Sequence, residues 1–265
     1  MSDRPSDAVL TAPEPAPAPD ARDTGYAPPA WTFDAEVARV FDDMLERSIP
    51  EYGVMRRLCY DVGASYVRPG TDVVDLGCAR GGALIAFADR FGRDNRYVGV
   101  DVSEPMLAAA SARFRELVAD GIAEIVACDL RTEYPDVRAG LTLAVLTLQF
   151  VPIEYRQAIV RRIYRHTAPG GAFVLVEKVL GATAEVDERL VETYYALKRR
   201  NGYSQDEIDR KRFALEGRLV PVTARWNEEL LSAAGFREVH CFWRYANFAG
   251  WLAVRADDRD GAGGA

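Results

Sequence analysis

The chain has 265 residues, of which 49% are hydrophobic and 28% are charged, and its formal net charge at pH 7 is −7. This length and apolar content suit one sizeable globular domain with a full core. The negative charge argues against a nucleic acid or an anionic membrane as a direct partner, and no apolar run approaches the ~20 residues that a membrane-spanning helix requires.

The four cysteines are far apart in the sequence and form no CxxC pair. This spacing is typical of small apolar core residues in a reducing compartment rather than of a disulfide or a metal site. The two histidines are also too far apart to make a metal site together. We therefore expect a cytoplasmic protein without a metal centre.

Both ends of the chain have a composition that favours disorder. Residues 1–30 are rich in Ala, Pro and Asp and offer little to bury, and they lack the basic and apolar regions of a secretory signal. Residues 257–265 form a polar, Gly-rich tail. The folded domain is therefore predicted over residues 31–256.

Helical and strand patterns alternate along this domain. Two helices come first, over residues 31–48 and from Ser48 onward, where Ser48 and Glu51 fit a capping box. The next predicted elements, in chain order, are a strand in DVVDLG, a helix in GALIAFADRFG, a strand in RYVGVDV, a helix in EPMLAAASARFRELVAD, strands in AEIVACDL and LTLAVLTLQF, a helix in PIEYRQAIVRRIYRHTA and a strand in AFVLVEKV. Three helical stretches between residues 184 and 235 then precede a closing hairpin in REVHCFWRYANF and GWLAVRA.

The predicted strands are near-continuous apolar runs rather than alternations of apolar and polar residues. Such runs are typical of parallel strands that helices cover on both faces. We therefore predict an α/β fold with a doubly wound, mostly parallel sheet. Extra helices are expected at the N-terminus and before strand six.

The stretch VVDLGCARGG, residues 73–82, joins the first strand to a helix through a glycine turn. A turn without Cβ atoms lets the backbone approach a ligand, and the following helix offers its N-terminal N–H groups to it. In open α/β sheets the ligand lies beyond the carboxyl ends of the strands. The glycine turn therefore predicts a ligand-binding site beside it, at the carboxyl end of the first strand.

Three acidic residues fall at the ends of the first three predicted strands. Asp75 ends strand one, Asp101 ends strand two and Asp129 ends strand three. Asp101 follows Gly77 at about the ~20-residue offset of an acid that binds ribose hydroxyls, and Asp129 is placed to accept from an adenine amino group. Together with the glycine turn, these acids predict a nucleoside-containing cofactor.

The turn does not match a dinucleotide fingerprint. GxGxxG requires a second glycine where this chain has Ala79. DLGCARGG instead resembles the first motif of class I S-adenosylmethionine (SAM)-dependent methyltransferases, and APGG, residues 168–171, resembles a later turn of that family. This resemblance covers roughly residues 34–256 and implies a Rossmann-like, seven-stranded sheet with an antiparallel last strand. A carboxylate at Asp75 also suits the ammonium of SAM better than a pyrophosphate.

Four further stretches resemble the carboxy-SAM synthase family, namely VFDDMLERSIPEY, LQFVP, PGGAFVLVEK and LKRRNGYSQDEIDRKR. Members of that family convert SAM and prephenate into carboxy-SAM, which a partner enzyme uses on wobble uridines of tRNA. The resemblance implies SAM contacts for Tyr52, for Gly77, Cys78 and Ala79 in the turn, for Asp101 and Val102 at the ribose, and for Asp129 and Leu130 at the adenine. It also implies that Arg199 binds the extra carboxylate across a homodimer interface, through its bidentate guanidinium.

One position departs from the carboxy-SAM synthase pattern. That family carries an asparagine two residues before the TLQF tetrapeptide, where this chain has Val145. The sequence therefore leaves three hypotheses: a SAM-dependent methyltransferase that acts on a small-molecule acceptor, a carboxy-SAM synthase, and a non-catalytic protein with a SAM-binding fold. The glycines and acids argue against the third.

Three residues are predicted to take part in the reaction. Methyl transfer requires alignment and exclusion of water, with a base only if the acceptor must lose a proton. We expect Glu177, just past strand five, to face the substrate as a base or as an anchor of the acceptor. Arg199 would bind a carboxylate, and the aromatic ring of Tyr203 would lie near the sulfonium.

Overall fold

The computed structural model describes Asp23 and residues 30–257. Within them the chain forms nine α-helices, α1 Ala35–Ser48, α2 Tyr52–Ala64, α3 Gly82–Phe91, α4 Glu104–Arg113, α5 Arg115–Ala119, α6 Ile153–His166, α7 Ala184–Arg200, α8 Gln205–Leu215 and α9 Ala224–Ala234. The strands are β1 Asp72–Leu76, β2 Arg96–Asp101, β3 Ala123–Ala127, β4 Ala139–Val145, β5 Thr167–Leu180, β6 Val222–Thr223, β7 Glu238–Tyr245 and β8 Phe248–Val254.

The central sheet has the strand order β3-β2-β1-β4-β5-β8-β7, and the two-residue β6 pairs with β5 off this path. The pairs from β3 to β5 are parallel, whereas β8 is antiparallel to both β5 and β7. The predicted doubly wound sheet with seven strands and an antiparallel last strand is therefore confirmed, and β6 is an addition to it.

Helices cover both faces of this sheet. Alternate strand residues such as Val74 and Leu175 pack against α6 and α9 on one face. The neighbouring residues in the same strands, such as Val73 and Val174, pack against α2 and α3 on the other face of the sheet. Since successive strand residues point to opposite faces, this explains why the strands read as continuous apolar runs.

Three local predictions differ from the structure. The strand expected to reach Phe150 ends at Val145, because Leu146 has a positive φ of 61° and residues 148–150 form a 3-10 turn. The helix expected to run to residue 120 breaks at Phe114 into α4 and α5. Ser48 ends α1 instead of capping α2.

The predicted disordered tails lie almost wholly outside the described residues. Asp23 is described, and its buried side chain forms a salt bridge with Lys211 of α8, while its backbone amide donates to Oδ2 of Asp43 on α1. Cys59, Cys78 and Cys128 are buried as expected, but Cys241 is exposed. In the described part of the chain, no helix has both the length and the hydropathy to cross a bilayer.

Candidate functional site

A cavity of about 990 Å³ lies at the carboxyl ends of the parallel strands. Its wall combines the turn after β1, the end of β2, the loops after β3 and β4, and side chains of α1, α2, α7 and α8. This volume lies at the upper end of the range for small-ligand sites. The cavity therefore has room for a nucleoside cofactor together with a second small molecule.

The glycine turn forms one end of this cavity. Gly77 has a positive φ of 76°, and a Cβ atom on it would lie 2.4 Å from Oγ1 of Thr147. The backbone N–H groups of Gly77 and Cys78 donate to the Val100 carbonyl, at 2.8 and 2.9 Å. Sheet hydrogen bonds thus fix the turn, and only glycine fits at position 77 without displacing Thr147.

Asp101 holds both the turn and the start of the next loop. Its Oδ2 accepts from the Ala79 amide at 2.9 Å, and its Oδ1 accepts from the amides of Val102 and Ser103 at 2.8 and 2.9 Å. Ala79 has a positive φ of 44°, which is unusual for a residue with a side chain. The carboxylate therefore stabilises a strained turn and is itself oriented at the edge of the cavity.

Asp129 lies two residues beyond the end of β3 and lines the cavity together with Leu130. Its carboxylate accepts from Nε of Arg131 at 2.9 and 3.0 Å and from Nη2 at 2.6 Å. These hydrogen bonds lower the pKa of Asp129. The carboxylate is thus ionised at neutral pH and suited to accept a further hydrogen bond.

Asp75 lies at the floor of the cavity, beside α2. Its side chain is almost completely buried, and this burial raises its pKa to about 7, although the nearby Arg56 opposes the shift. Tyr52 also lines the cavity, and burial raises the pKa of its hydroxyl. A carboxyl group with such a pKa would ionise readily when a cation binds beside it.

The opposite end of the cavity is cationic. Lys178 at the end of β5 and Lys198 on α7 both line it. Their ammonium groups lie 4.9 and 5.5 Å from the centroid of the Tyr194 ring. No local sequence pattern indicates these residues, because the two lysines are 20 positions apart and come together only when α7 packs over the end of β5.

Glu177 does not face the cavity, so the predicted orientation is wrong. Its carboxylate is buried and accepts from the amides of Leu148 and Gln149, at 2.9 and 2.7 Å. The reason is strand alternation, since Glu177 shares the face of Leu175 while Lys178 shares the face of Val176. Glu177 therefore fixes the 3-10 turn after β4.

Two further residues expected near the substrate lie away from the cavity of this chain. Arg199 is exposed on α7, where its Nη1 donates to Oε1 of Gln205 at 2.9 Å. Tyr203 is buried behind the cavity, where its hydroxyl hydrogen-bonds with Asp23 and with the Ser48 hydroxyl. In contrast, the structure brings all the predicted cofactor contacts to the cavity, namely Tyr52, Asp75, Gly77, Cys78, Ala79, Asp101, Val102, Asp129 and Leu130.

Comparison with known proteins identifies the class of cofactor. A family model described as a methyltransferase domain matches residues 73–171. Human N-acetylserotonin methyltransferase, solved in complex with SAM, has a TM-score of 0.56 at 16% identity, over 84% of this chain and 55% of that longer protein. That likeness shows the shared fold. The carboxylates and the backbone groups of the turn that line the cavity have the hydrogen-bonding chemistry that the ribose, adenine and amino-acid groups of SAM require.

Curated relatives match almost along their full length. The carboxy-S-adenosyl-L-methionine synthase of Methylococcus capsulatus is 41% identical over 224 residues, which are 84% of this chain and 93% of that protein. The protein of the same name from Chromohalobacter salexigens is 39% identical over 227 residues, which are 85% of this chain and 83% of that protein.

These matches extend well beyond the methyltransferase motif and confirm the resemblance drawn from the sequence. The protein is a SAM-dependent transferase, and SAM is its cofactor. The chain belongs to the carboxy-S-adenosyl-L-methionine synthase family.

Proposed function

We propose that the protein converts SAM and prephenate into carboxy-SAM. The observation that carries this proposal is the continuity of one cavity from the glycine turn to Lys178 and Lys198. A cationic end has no evident use in transferring a methyl group to a neutral acceptor. It suits a second substrate that is an organic anion, as prephenate is.

The cofactor end of the cavity would hold SAM through residues of distinct chemistry. Asp101 would accept from the ribose hydroxyls, and Asp129 would accept from the adenine amino group. Asp75 would favour the ammonium group, which would restore its ionised form. The backbone amides of the turn at Gly77 and the ring of Tyr52 would make the remaining contacts with SAM.

Prephenate would release its ring carboxyl group as CO2 and its ring hydroxyl as hydroxide, and so become phenylpyruvate. The sulfonium-bound methyl group of SAM would lose one proton to the hydroxide, which forms water, and its carbon would form the new bond to CO2. The protein must bring the two substrates together, exclude water and stabilise the new carboxylate. The apolar part of the cavity wall, which includes Phe41, Phe150 and Phe248, would hold the two substrates together and exclude water from them.

Arg199 would stabilise the new carboxylate from the neighbouring subunit of a homodimer. This role is supported by its exposure on α7, because within the described residues its guanidinium donates to Gln205 alone and keeps further donors available. Tyr203, held by Asp23 and Lys211, would position the helix pair α7 and α8 rather than contact the sulfonium.

Methyl transfer to a small acceptor is the second candidate. Val145 favours it, since this apolar residue lines the cavity where carboxy-SAM synthases carry an amide. Under either reaction we propose a cytoplasmic enzyme whose substrate is a small molecule, with no direct contact to nucleic acid.

Mass spectrometry of the ligand released from the purified protein separates the two candidates. A species heavier than SAM by the replacement of one hydrogen with a carboxyl group supports the synthase. SAM or its demethylated product alone supports the methyltransferase. If the protein binds none of these, even when they are added, both proposals fail.

A further inference from the structure

At the cationic end of the cavity, two ammonium groups have no carboxylate partner among the described residues. Lys198 is 5% exposed, yet within the described residues neither it nor Lys178 forms an ion pair. Lys211, the third lysine of this end, is different because Asp23 neutralises it in a salt bridge.

Leaving a charge both buried and unpaired is costly, so such a group usually has a ligand or a pKa shift to compensate. For Lys198 the pKa is lowered to about 7, by burial first and then by the neighbouring Lys211 and Lys178. Asp23 opposes this shift only in part, since its carboxylate is already paired with Lys211, and Asp187, the acid that acts on Lys178, accepts from the Gly181 amide. Among the described residues, neither Lys178 nor Lys198 therefore has a carboxylate of its own.

The surroundings of the two lysines also have a defined shape. Both ammonium groups lie near the Tyr194 ring, at 4.9 and 5.5 Å from its centroid, and Phe248 meets this ring edge-on at a centroid distance of 5.4 Å. Lys178 is held in place through its backbone, whose amide donates to Oε1 of Gln149 at 2.8 Å. Gln149 is in turn fixed by Glu177. The Lys178 side chain thus projects from a hydrogen-bonded backbone beside an aromatic wall.

We propose that Lys178, Lys198 and Tyr194 form a carboxylate-binding subsite that holds the second substrate. The two ammonium groups would bind the carboxylate, and the aromatic wall of Tyr194 and Phe248 would pack against the ring or carbon chain that carries it. The assignment of this subsite to prephenate rests on the proposed function, whereas its preference for a carboxylate does not.

The test is a calorimetric titration of the SAM-saturated full-length protein with phenylpyruvate, which carries a carboxylate on an aromatic body. Phenylacetone serves as the ligand control, since it keeps the ring and the ketone but lacks the carboxylate. The unmodified protein is expected to bind phenylpyruvate and not phenylacetone. Lys198→Met and Lys178→Met are each expected to weaken phenylpyruvate binding about 10- to 100-fold, as for the loss of a hydrogen bond to a charged group.

Two matched variants make the result specific. Lys198→Arg retains the charge and is expected to keep most of the affinity, which guards against a folding defect in Lys198→Met. Arg189→Met removes an exposed cation from the same helix and is expected to change nothing. SAM affinity is expected to stay within about twofold in every variant, since the cofactor contacts lie at the other end of the cavity.

Unchanged phenylpyruvate binding in both methionine variants would overturn the inference. The inference would also be overturned if the unmodified protein bound neither phenylpyruvate nor prephenate. If the lysines are required for binding but SAM and prephenate give no carboxy-SAM, the subsite stands and the proposed reaction fails.

Discussion

The Asp101 carboxylate accepts a hydrogen bond from the amide of Ala79 across 2.9 Å, and so ties the end of β2 to the turn after β1. Ala79 adopts a positive φ, and the hydrogen bond offsets the cost of that conformation. The residue proposed to bind the ribose is therefore also a support of the backbone proposed to bind the rest of SAM.

Replacing Asp101 tests this double role. Asp101→Ala is expected to weaken SAM binding by about 1.5–3 kcal/mol, because the ribose hydroxyls lose a charged acceptor. It should also lower the melting temperature, because the amides of Ala79, Val102 and Ser103 lose their acceptor. Calorimetry and thermal unfolding measure the two effects separately. Asp120→Ala, at an exposed ion pair, is the control, and unchanged SAM affinity in Asp101→Ala would remove Asp101 from the site.

Gly77→Ala tests the steric requirement of the turn. An alanine there must hold a positive φ, at a cost of about 1–2 kcal/mol, and its Cβ would collide with Thr147. We expect lower stability and a loss of SAM binding, measured by denaturant unfolding and calorimetry. Gly53→Ala is the matched control, since a Cβ at that helical glycine meets nothing within 4 Å and should stabilise α2 by about 0.5–1 kcal/mol. A Gly77→Ala protein that binds SAM normally would contradict the account.

Glu177→Gln separates a structural role from a catalytic one. Because both carboxylate oxygens bind backbone amides and the Glu177 side chain does not line the cavity, kcat is expected to fall by less than about tenfold, whereas loss of a general base costs about 10²–10⁴-fold. Steady-state kinetics with SAM and prephenate decide between the structural and the catalytic role of Glu177. Glu185→Gln, an exposed acid on α7, is the control.

Glu177 should also make stability depend on pH. Burial raises its pKa to about 8 in the folded protein, from an ordinary value of 4.5. Its stabilising contribution is therefore complete below the unfolded pKa and is lost as the pH rises through the folded pKa. Between these two values the free energy of unfolding should fall with pH, and less so in Glu177→Gln. If the free energy of unfolding depended on pH equally in the unmodified protein and in Glu177→Gln, that result would count against a buried Glu177 carboxyl group.

Arg199→Ala tests the proposed contribution of a second subunit. The variant is expected to bind SAM normally but to lose its preference for carboxy-SAM over SAM, since the additional carboxylate loses its bidentate donor. Competition binding measures that preference, and sedimentation velocity measures the oligomeric state. Arg189→Ala is the control on the same helix. An unchanged preference would mean that Arg199 is a solvated surface residue.

Binding of a carboxylate at Lys198 should be coupled to uptake of a proton. At pH 8 a group with a pKa of about 7 is mostly neutral, and a bound carboxylate would raise that pKa. The groups that face Lys198 are Lys178 from β5, Lys211 from α8, Arg47 from α1, and Asp23, Tyr194 and Tyr203.

Calorimetric titrations in two buffers of different ionisation enthalpy measure this coupling. We expect phenylpyruvate binding to take up protons at pH 8 and almost none at pH 6, where Lys198 is already charged. Lys198→Met should abolish the uptake. Proton release, or the same uptake in that variant, would be inconsistent with a carboxylate held by Lys198.

The sequence predicted the sheet and the cofactor end of the cavity because both depend on local signals. Continuous apolar runs identify buried parallel strands, and the carboxyl ends of such strands meet at one edge of a sheet. The positions of Asp75, Asp101 and Asp129 follow from that rule alone. The antiparallel β8 came from the family resemblance.

The cationic end depends on tertiary packing that no local pattern records. Lys178 and Lys198 meet only because α7 folds back over β5, and Tyr203 is buried because Asp23 and Lys211 engage its hydroxyl. The orientation of Glu177 was predictable in principle. Strand alternation places it on the face of Leu175 and Val179, but the adjacent Lys178 faces the cavity instead.

Incubating the protein with SAM labelled at its methyl carbon, with and without prephenate, tests the central claim most directly. The account predicts that label appears in carboxy-SAM only when prephenate is present, and that no demethylated SAM accumulates. Label transferred to another acceptor with release of demethylated SAM, or no carboxy-SAM from protein that demonstrably binds SAM, would contradict it.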